Sequence, residues 1–203
     1  MVRSGLEENL KRQNFVCVKA VDEQGSVVGH ASWAFSGAGS GRASSRGTDD
    51  KKSAAEDDQV EEPGKPENRS DIEEDPIERL HALEDADTQY WLQSLVPKDT
   101  PCMFVVGLTV SPSYQGRGVG GALLRHGNAI SEERGLPIWV HSSHQAYATY
   151  VKAGFVTRRE LRIDLGDYAP RPPRDGEATI AGKHDGRWGE YVIRYMERKP
   201  SEN

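Results

Sequence analysis

Four glycines lie within residues 116–121, at the junction between an apolar stretch and a stretch with helical periodicity. Glycines at such a strand-to-helix junction let backbone N–H groups approach an anion, and the start of the helix adds positive partial charge. The letters G-R-G-V-G-G contain the dinucleotide fingerprint G-x-G-x-x-G, and the letters Q-G-R-G-V-G, from Gln115, fit Q-x-x-G-x-G. We therefore predict a phosphate site, with a tight turn that binds no ligand as the alternative.

Three observations separate the candidate phosphate ligands. In the dinucleotide-binding motif the first glycine directly follows the strand, but here residues 111–115 intervene. That motif also has an acidic residue about 20 positions further on. In this chain the corresponding stretch reads W-V-H-S-S, which contains His141 but no carboxylate. A nucleoside-triphosphate loop needs Gly-Lys-Ser/Thr, but Ala122 follows the glycines. The pattern argues against a kinase-like loop and makes an NAD(P)-dependent oxidoreductase the weakest remaining hypothesis.

A second motif follows the loop at a distance of about one helix and one strand. Residues 150–155 read Y-V-K-A-G-F, which fits Y-x-K-x-G-F, and the stretch from Val110 to Gly120 fits V-x-P-x-x-Q-x-x-G-x-G. Together these motifs resemble those of the GNAT superfamily of acetyl-CoA-dependent N-acetyltransferases. The resemblance is strongest over residues 102–165. The segments 15–35 and 190–199 resemble the family's second and third strands and its last strand.

The resemblance implies an α/β fold with a mixed, mostly antiparallel twisted sheet and helices on both faces. Family members usually begin with a strand and one or two helices, but only fourteen residues precede Phe15. We therefore expect these N-terminal elements to be missing. The segment between the second predicted strand and Pro97 is also longer than the family's usual turn, which loosely resembles uncharacterised fungal members.

The resemblance also implies an acetyl-CoA site. The backbone N–H groups of the glycine loop would bind the pyrophosphate, and the end of the preceding strand would align the pantetheine arm. Arg117 could add a charge-assisted contact, or it could be a solvated loop residue. The implied cofactor-binding residues are Leu108, Thr109, Val110, Gln115, Gly116, Arg117, Gly118, Val119, Gly120 and Gly121. No spacing of His, Cys or acidic residues predicts a metal site.

Acetyl transfer to an amine also needs proton handling. The family's usual acid for the leaving thiolate is the tyrosine of the second motif, which is Tyr150 here; the alternative is that this ring packs beneath the cofactor. The incoming amine must lose a proton, since amines of this kind have pKa values near about 10. Many members place a glutamate on the strand before the loop, but C-M-F-V-V-G-L-T-V contains none. His141 is the candidate base, with a surface or core histidine as the alternative.

The helices and strands that must position these residues are predicted from the spacing of apolar residues and from the glycines and prolines that end each segment. Apolar and β-branched runs predict strands, and the i, i+3, i+4 spacing of apolar residues predicts helices. The predicted strands are two within 15–35, then 102–110, 137–143, 155–165 and 190–199. The predicted helices are 6–13, one or two between Pro76 and Pro97, one from Val119 to Gly135, and 144–153. Residues 166–189, rich in Pro, Gly and charge, are expected to form a long loop.

We predict a single domain over residues 1–203. Residues 36–75 differ from the rest of it in composition. They contain twelve Asp and Glu against six Lys and Arg, and this balance of −6 equals the net charge of the whole chain. With almost no large apolar residue, such a segment cannot offset its ordering entropy, so we expect a disordered acidic insert. It is either a solvated loop or a regulatory, partner-binding segment with Ser and Thr phosphorylation sites.

Composition bounds the partners and the compartment. The net charge of −6 argues against nucleic acid as the main partner. No run of 18 apolar residues occurs, so no membrane span is expected. Two widely separated cysteines and no secretory signal favour a cytoplasmic protein, with a nuclear one also compatible.

We thus predict an enzyme that N-acetylates a small-molecule or protein amine from acetyl-CoA, by direct attack in a ternary complex. The alternative from another functional class is a non-catalytic acyl-CoA-binding module. The sequence does not indicate whether the protein is a monomer or a homodimer.

Overall fold

The structure is a computed structural model that describes residues 14–37, 75–182 and 186–201. The predicted helix over residues 6–13 lies outside these ranges, and so does nearly all of the acidic segment 36–75.

Six strands form one sheet in the order β1-β2-β3-β4-β6-β5. Neighbouring strands run antiparallel except for β3 and β4, which are parallel. This arrangement confirms the prediction of a mixed, mostly antiparallel sheet. The strands are β1 (Phe15–Val21), β2 (Val27–Ser36), β3 (Cys102–Val110), β4 (Ile138–Ser142), β5 (Val156–Asp164) and β6 (Glu190–Arg198).

Among the described residues, three α-helices accompany the sheet: α1 (Pro76–Tyr90), α2 (Val119–Arg134) and α3 (Tyr147–Lys152). Helix α1 begins where the sequence predicts, because the side chain of Asp75 accepts a hydrogen bond of 2.9 Å from the backbone N–H of Ile77. It continues into a π-helical turn, Trp91–Leu95. The predicted one or two helices before Pro97 are therefore one α-helix with a wider last turn.

The helices cover opposite faces of the sheet, as predicted. Helices α2 and α3 pack on a core that includes Trp33, Met103 and Leu124. Helix α1 and its π-helical turn pack on a second core that includes Trp139 and Tyr195. The division follows the alternation of side chains along each strand.

An ion pair between a buried carboxylate and a half-buried guanidinium attaches α1 to the sheet. The Asp87 carboxylate, 5% exposed, accepts hydrogen bonds from Nε of Arg159 on β5 at 3.1 Å and from its Nη2. The same guanidinium lies 4.6 Å from the ring centre of Tyr90. Helix α1 is therefore held against the far edge of the sheet by charge as well as by apolar packing.

We expect substitution of the two partners of this ion pair to lower the stability of the protein by different amounts. Arg159→Met leaves a carboxylate buried without its cation, whereas Asp87→Asn leaves a guanidinium that is 38% exposed and can reach water. We expect losses in the free energy of unfolding of about 3 kcal/mol for Arg159→Met and about 1 kcal/mol for Asp87→Asn. Urea unfolding followed by circular dichroism measures both losses, and equal losses would contradict this asymmetry.

The predicted loop 166–189 is closed by its own contacts. The Arg171 guanidinium donates to both carboxylate oxygens of Glu177, at 2.9 and 2.7 Å, and this pair is the main cause that lowers the pKa of Glu177 to about 2. The indole Nε1 of Trp188 donates to the carbonyl oxygen of Arg171 at 2.6 Å. In its described part the segment contains one short 3-10 turn, Leu165–Asp167, and otherwise neither helix nor strand.

Candidate active site

Strands β3 and β4 separate soon after they begin to pair. Within the described strands, they are in register only at Met103 with Ile138 and at Phe104 with Trp139. Beyond that point β3 follows β2 and β4 follows β6. Two neighbouring strands that diverge leave backbone N–H and C=O groups without ladder partners, so a cleft opens where an extended ligand can form strand-like hydrogen bonds.

A β-bulge lies on β3 inside this cleft. The consecutive β2 residues Ser32 and Trp33 pair with Gly107 and Val105, so Val106 is the extra residue. Bulged residues are left out of the hydrogen-bond ladder and bend the strand. The side chain of Val106 is 55% exposed. The bulge therefore turns β3 away from β4 and exposes its backbone to the cleft.

The cleft is lined from both faces of the sheet. Its walls include residues 105–108 of β3 and Val140 and His141 of β4. Tyr150 of α3 also lines it and belongs to the core under α2 and α3. His141 instead packs near Trp91 of the π-helical turn, on the opposite face. The structure thus brings the two predicted catalytic residues to one cleft, on opposite sides of the sheet.

Tyr150 is held by packing. Tyr150 is 4% exposed, and its ring contacts that of Phe155 edge-on with 5.3 Å between the ring centres. Burial raises the pKa of the Tyr150 hydroxyl well above its usual value. Tyr147, one turn earlier, faces Arg194, whose guanidinium lies 4.1 Å from the ring centre. Of these two tyrosines, Tyr150 is the one that lines the cleft, and its raised pKa keeps its own hydroxyl protonated there.

His141 packs against two aromatic side chains that also contact each other. Its ring is nearly parallel to that of Tyr195, its cross-strand partner, with 5.1 Å between the ring centres. The indole of Trp91 lies 6.2 Å away at an angle of 50°. His141 itself is exposed, whereas Trp91 and Tyr195 are buried. His141 is therefore an exposed residue of the cleft wall that packs against two buried aromatic side chains.

The glycine loop leads from β3 into α2. Gly118 is the N-cap of α2 and has φ of 83°, in the left-handed region that favours glycine. Gly116 also has a positive φ, of 74°. The first turn of a helix leaves backbone N–H groups without intrahelical partners, so the loop and the start of α2 offer several donors to an anion.

The other residues predicted to bind the cofactor lie at different places around the cleft and the glycine loop. Leu108 lines the cleft. Thr109 instead pairs with His30 of β2, and the carbonyl oxygen of Val110 accepts a hydrogen bond of 3.1 Å from Nε2 of Gln115. Gln115 therefore ties the loop to the end of β3. Val119 packs on the core beneath α2, Gly120 and Gly121 lie in the first turn of α2, and Arg117 lies over the ring of Tyr114.

The sequence interpretation missed the residues of the cleft wall before Leu108. Residues 105–107 line the cleft, although only residues 108–110 were predicted to contact the pantetheine arm. One signal was available: a glycine inside a strand pattern, here Gly107, often marks a bulge.

Two negative findings hold for residues 14–37, 75–182 and 186–201. They contain no cluster of three or more His, Cys, Asp or Glu side chains that could hold a metal ion. None of their helices combines the length and the apolar character that crossing a bilayer requires.

Residues 3–155 match the family model described as the Acetyltransferase (GNAT) family. The chain belongs to the GNAT acetyltransferase family. This confirms the resemblance drawn from the two motifs. The match spans both motifs and the strand hairpin, and it establishes the chain as a GNAT acetyltransferase in general terms.

Several solved acetyltransferase structures resemble this chain. Arylalkylamine N-acetyltransferase 2 from Aedes aegypti is 14% identical; the match covers 98% of this chain and 79% of that one, with a TM-score of 0.52. The ribosomal-protein-S18-alanine N-acetyltransferase from Escherichia coli is 15% identical, with 98% and 77% covered and a TM-score of 0.45. At such identities the first structure shows the shared fold and nothing more specific. A search of curated proteins found no match.

Proposed function

We propose that this GNAT acetyltransferase transfers the acetyl group of acetyl-CoA to an amine, by direct attack within a ternary complex. The observation that carries the proposal is the cleft between β3 and β4, which has a protonated tyrosine on one side of the sheet and a histidine on the other. Donor and acceptor can approach such a cleft from opposite faces and meet inside it.

The glycine loop and the open edge of β3 support the binding of acetyl-CoA. The N–H groups of residues 116–121 are suited to the pyrophosphate, because two left-handed glycines and a helix start direct donors to one place. Residues 105–108 lie beside β2 on one side only and have no register partner on β4, so their backbone on the β4 side is suited to the amides of the pantetheine arm. The predicted cofactor set is therefore extended to include Val105, Val106 and Gly107.

The chain's own groups can serve each step of the transfer. In this proposal, a backbone N–H at the Val106 bulge donates to the thioester oxygen as negative charge develops on it. When the amine nitrogen bonds to the acetyl carbon and the carbon–sulfur bond breaks, the electron pair leaves on sulfur. The Tyr150 hydroxyl then donates its proton to that thiolate. His141 takes the proton that the amine loses.

A non-catalytic acyl-CoA-binding module is the second candidate, and one observation favours it. Among the described residues that line the cleft, none is a carboxylate, so His141 alone would have to act as the protein base.

Two assays separate these functions. Calorimetry with acetyl-CoA, CoA and NADH tests the cofactor: binding of NADH without binding of CoA would overturn the proposal. Release of the CoA thiol over a panel of small amines and peptide amines tests the transfer. Tight binding of acetyl-CoA with no thiol release above the hydrolysis background, for any amine, would favour the binding module.

The role of His141 makes a separate prediction. His141→Gln keeps a polar side chain of similar size beside Trp91 and Tyr195 but removes the basic nitrogen. Because a positioned general base contributes about 100-fold or more, we expect kcat to fall by about that factor while the KM for acetyl-CoA changes little. Steady-state kinetics with the best amine of the panel measures both constants. A kcat that stays within twofold would assign proton removal to water.

A further inference from the structure

The turn between β1 and β2 contacts the start of the glycine loop. The hydroxyl of Tyr114 donates a hydrogen bond of 2.9 Å to Oδ2 of Asp22, across a sequence separation of 92 residues. Tyr114 ends the 3-10 turn Pro112–Tyr114, directly before Gln115 and the glycines. The loop that we assign to the pyrophosphate is thus attached to a distant hairpin by one side-chain contact.

The Asp22 carboxylate is itself held in place. Its Oδ1 accepts hydrogen bonds from the backbone N–H groups of Ser26 at 2.8 Å and Gln24 at 3.1 Å. The bond from Ser26 is the largest cause, and the Tyr114 hydroxyl the next, of a lowered pKa for Asp22. The carboxylate therefore stays ionised at neutral pH and presents a fixed acceptor to Tyr114.

The ring of Tyr114 lies beneath Arg117. The guanidinium carbon of Arg117 is 5.3 Å from the ring centre, a cation–π arrangement. A guanidinium in a cation–π contact can still donate hydrogen bonds to phosphate oxygens. Three side chains therefore form a continuous series of contacts, from Asp22 through Tyr114 to Arg117, at the mouth of the glycine loop.

We propose that Tyr114 and Asp22 are positioning residues for acetyl-CoA, which hold Arg117 over the glycine loop so that it contacts the donor's phosphates. This inference rests on the proposed binding of acetyl-CoA by that loop. Arginine carries large rotamer entropy, and a side chain that is ordered before binding loses less of it when the ligand arrives. Asp22 and Tyr114 would thus favour binding without touching the ligand.

Two conservative substitutions isolate the contact. Tyr114→Phe removes the hydroxyl but keeps the ring beneath Arg117. Asp22→Asn keeps Oδ1 as the acceptor for the turn and replaces Oδ2 with an NH₂ group, which cannot accept from Tyr114 and offers its oxygen only a weaker, neutral hydrogen bond in the reverse direction. We expect each variant to raise the Kd for CoA about three- to tenfold, corresponding to the entropy of immobilising one rotamer-rich side chain on binding. The KM for acetyl-CoA should rise in parallel and kcat should change less than twofold.

The decisive test repeats Tyr114→Phe in an Arg117→Ala background, with Kd for CoA measured by calorimetry. If Tyr114 acts through Arg117, Tyr114→Phe has no further effect on the Kd for CoA in the Arg117→Ala background. In addition, the double variant Tyr114→Phe, Asp22→Asn binds CoA as well as whichever single variant binds it more weakly. Effects that multiply in either combination, or single variants that bind CoA as the wild type does, would overturn the inference. Urea unfolding of each variant identifies a loss of fold. A wild-type protein that does not bind CoA would instead overturn the proposed function.

Discussion

Replacing Tyr150 with phenylalanine should lower kcat by about 100-fold, the usual contribution of a positioned general acid, while the KM for acetyl-CoA stays within about twofold. The substitution removes only the hydroxyl. The ring keeps its edge-on contact with Phe155, and the side chain stays buried at the cleft. Without the hydroxyl the thiolate must leave unprotonated or take its proton from water. Steady-state thiol release at saturating acetyl-CoA measures the loss.

Tyr147→Phe is the matched control, because Tyr147 lies one turn away on the same helix and does not line the cleft. We expect its kcat to stay close to that of the wild type. If the two variants have equal kcat values, or if Tyr150→Phe leaves kcat unchanged, Tyr150 serves in packing alone.

The same residue predicts a pH profile. Because burial raises the pKa of Tyr150, its acid form persists to higher pH than that of an exposed tyrosine. Wild-type kcat should therefore show no alkaline decline below about pH 10, the usual tyrosine pKa. A decline at pH 8 to 9 that disappears in Tyr150→Phe would contradict this assignment.

Substituting alanine for Gly127 should lower the free energy of unfolding by about 2 kcal/mol, because overpacking a core costs up to about 3 kcal/mol and the helix propensity of alanine offsets part of that cost. Gly127 is buried in α2, and a Cβ there would lie 2.3 Å from two ring carbons of Trp33. Trp33 is fully buried on β2 and has little room to move. The clash should exceed the gain of about 1 kcal/mol that alanine brings to a helix interior.

Gly121→Ala is the control in the same helix. A Cβ at Gly121 would meet only the flexible end of Arg125, at 3.6 Å, so we expect its stability to equal or exceed that of the wild type. Urea unfolding without ligand compares the two variants. A Gly127→Ala protein as stable as Gly121→Ala would show that Trp33 can shift, and that α2 does not depend on this close approach.

The glycine loop and its neighbouring elements were predictable because their causes are local. Backbone freedom, capping and apolar periodicity act over a few residues. They predicted a strand to Val110, a loop, and a helix from Val119 that ends before Gly135, which also has a left-handed φ, of 65°. The two motifs added the family, since each combines several residue types at a fixed spacing. The predicted helix over residues 6–13 and the predicted insert stay predictions, because they lie outside the described residues.

The residues of the site that sequence reasoning missed all depend on contacts between distant segments. The cleft wall at residues 105–107 exists because β3 bulges against β2 and leaves β4. The apolar run that contains it looks like any buried strand. Likewise, nothing beside Gly127 in the chain indicates an indole against it, and nothing near Tyr114 indicates a carboxylate from a turn 92 residues earlier.

By itself, the sequence determined the local geometry of the loop, the order of the elements and membership of the family, because these depend on residue types at short and fixed separations. The tertiary structure alone decided where β3 and β4 separate. It also placed Tyr150 and His141 on opposite faces of one cleft and selected the side chains that hold the loop. Those outcomes depend on strand register and on packing between residues that are far apart in the chain, which periodicity along a single segment does not encode.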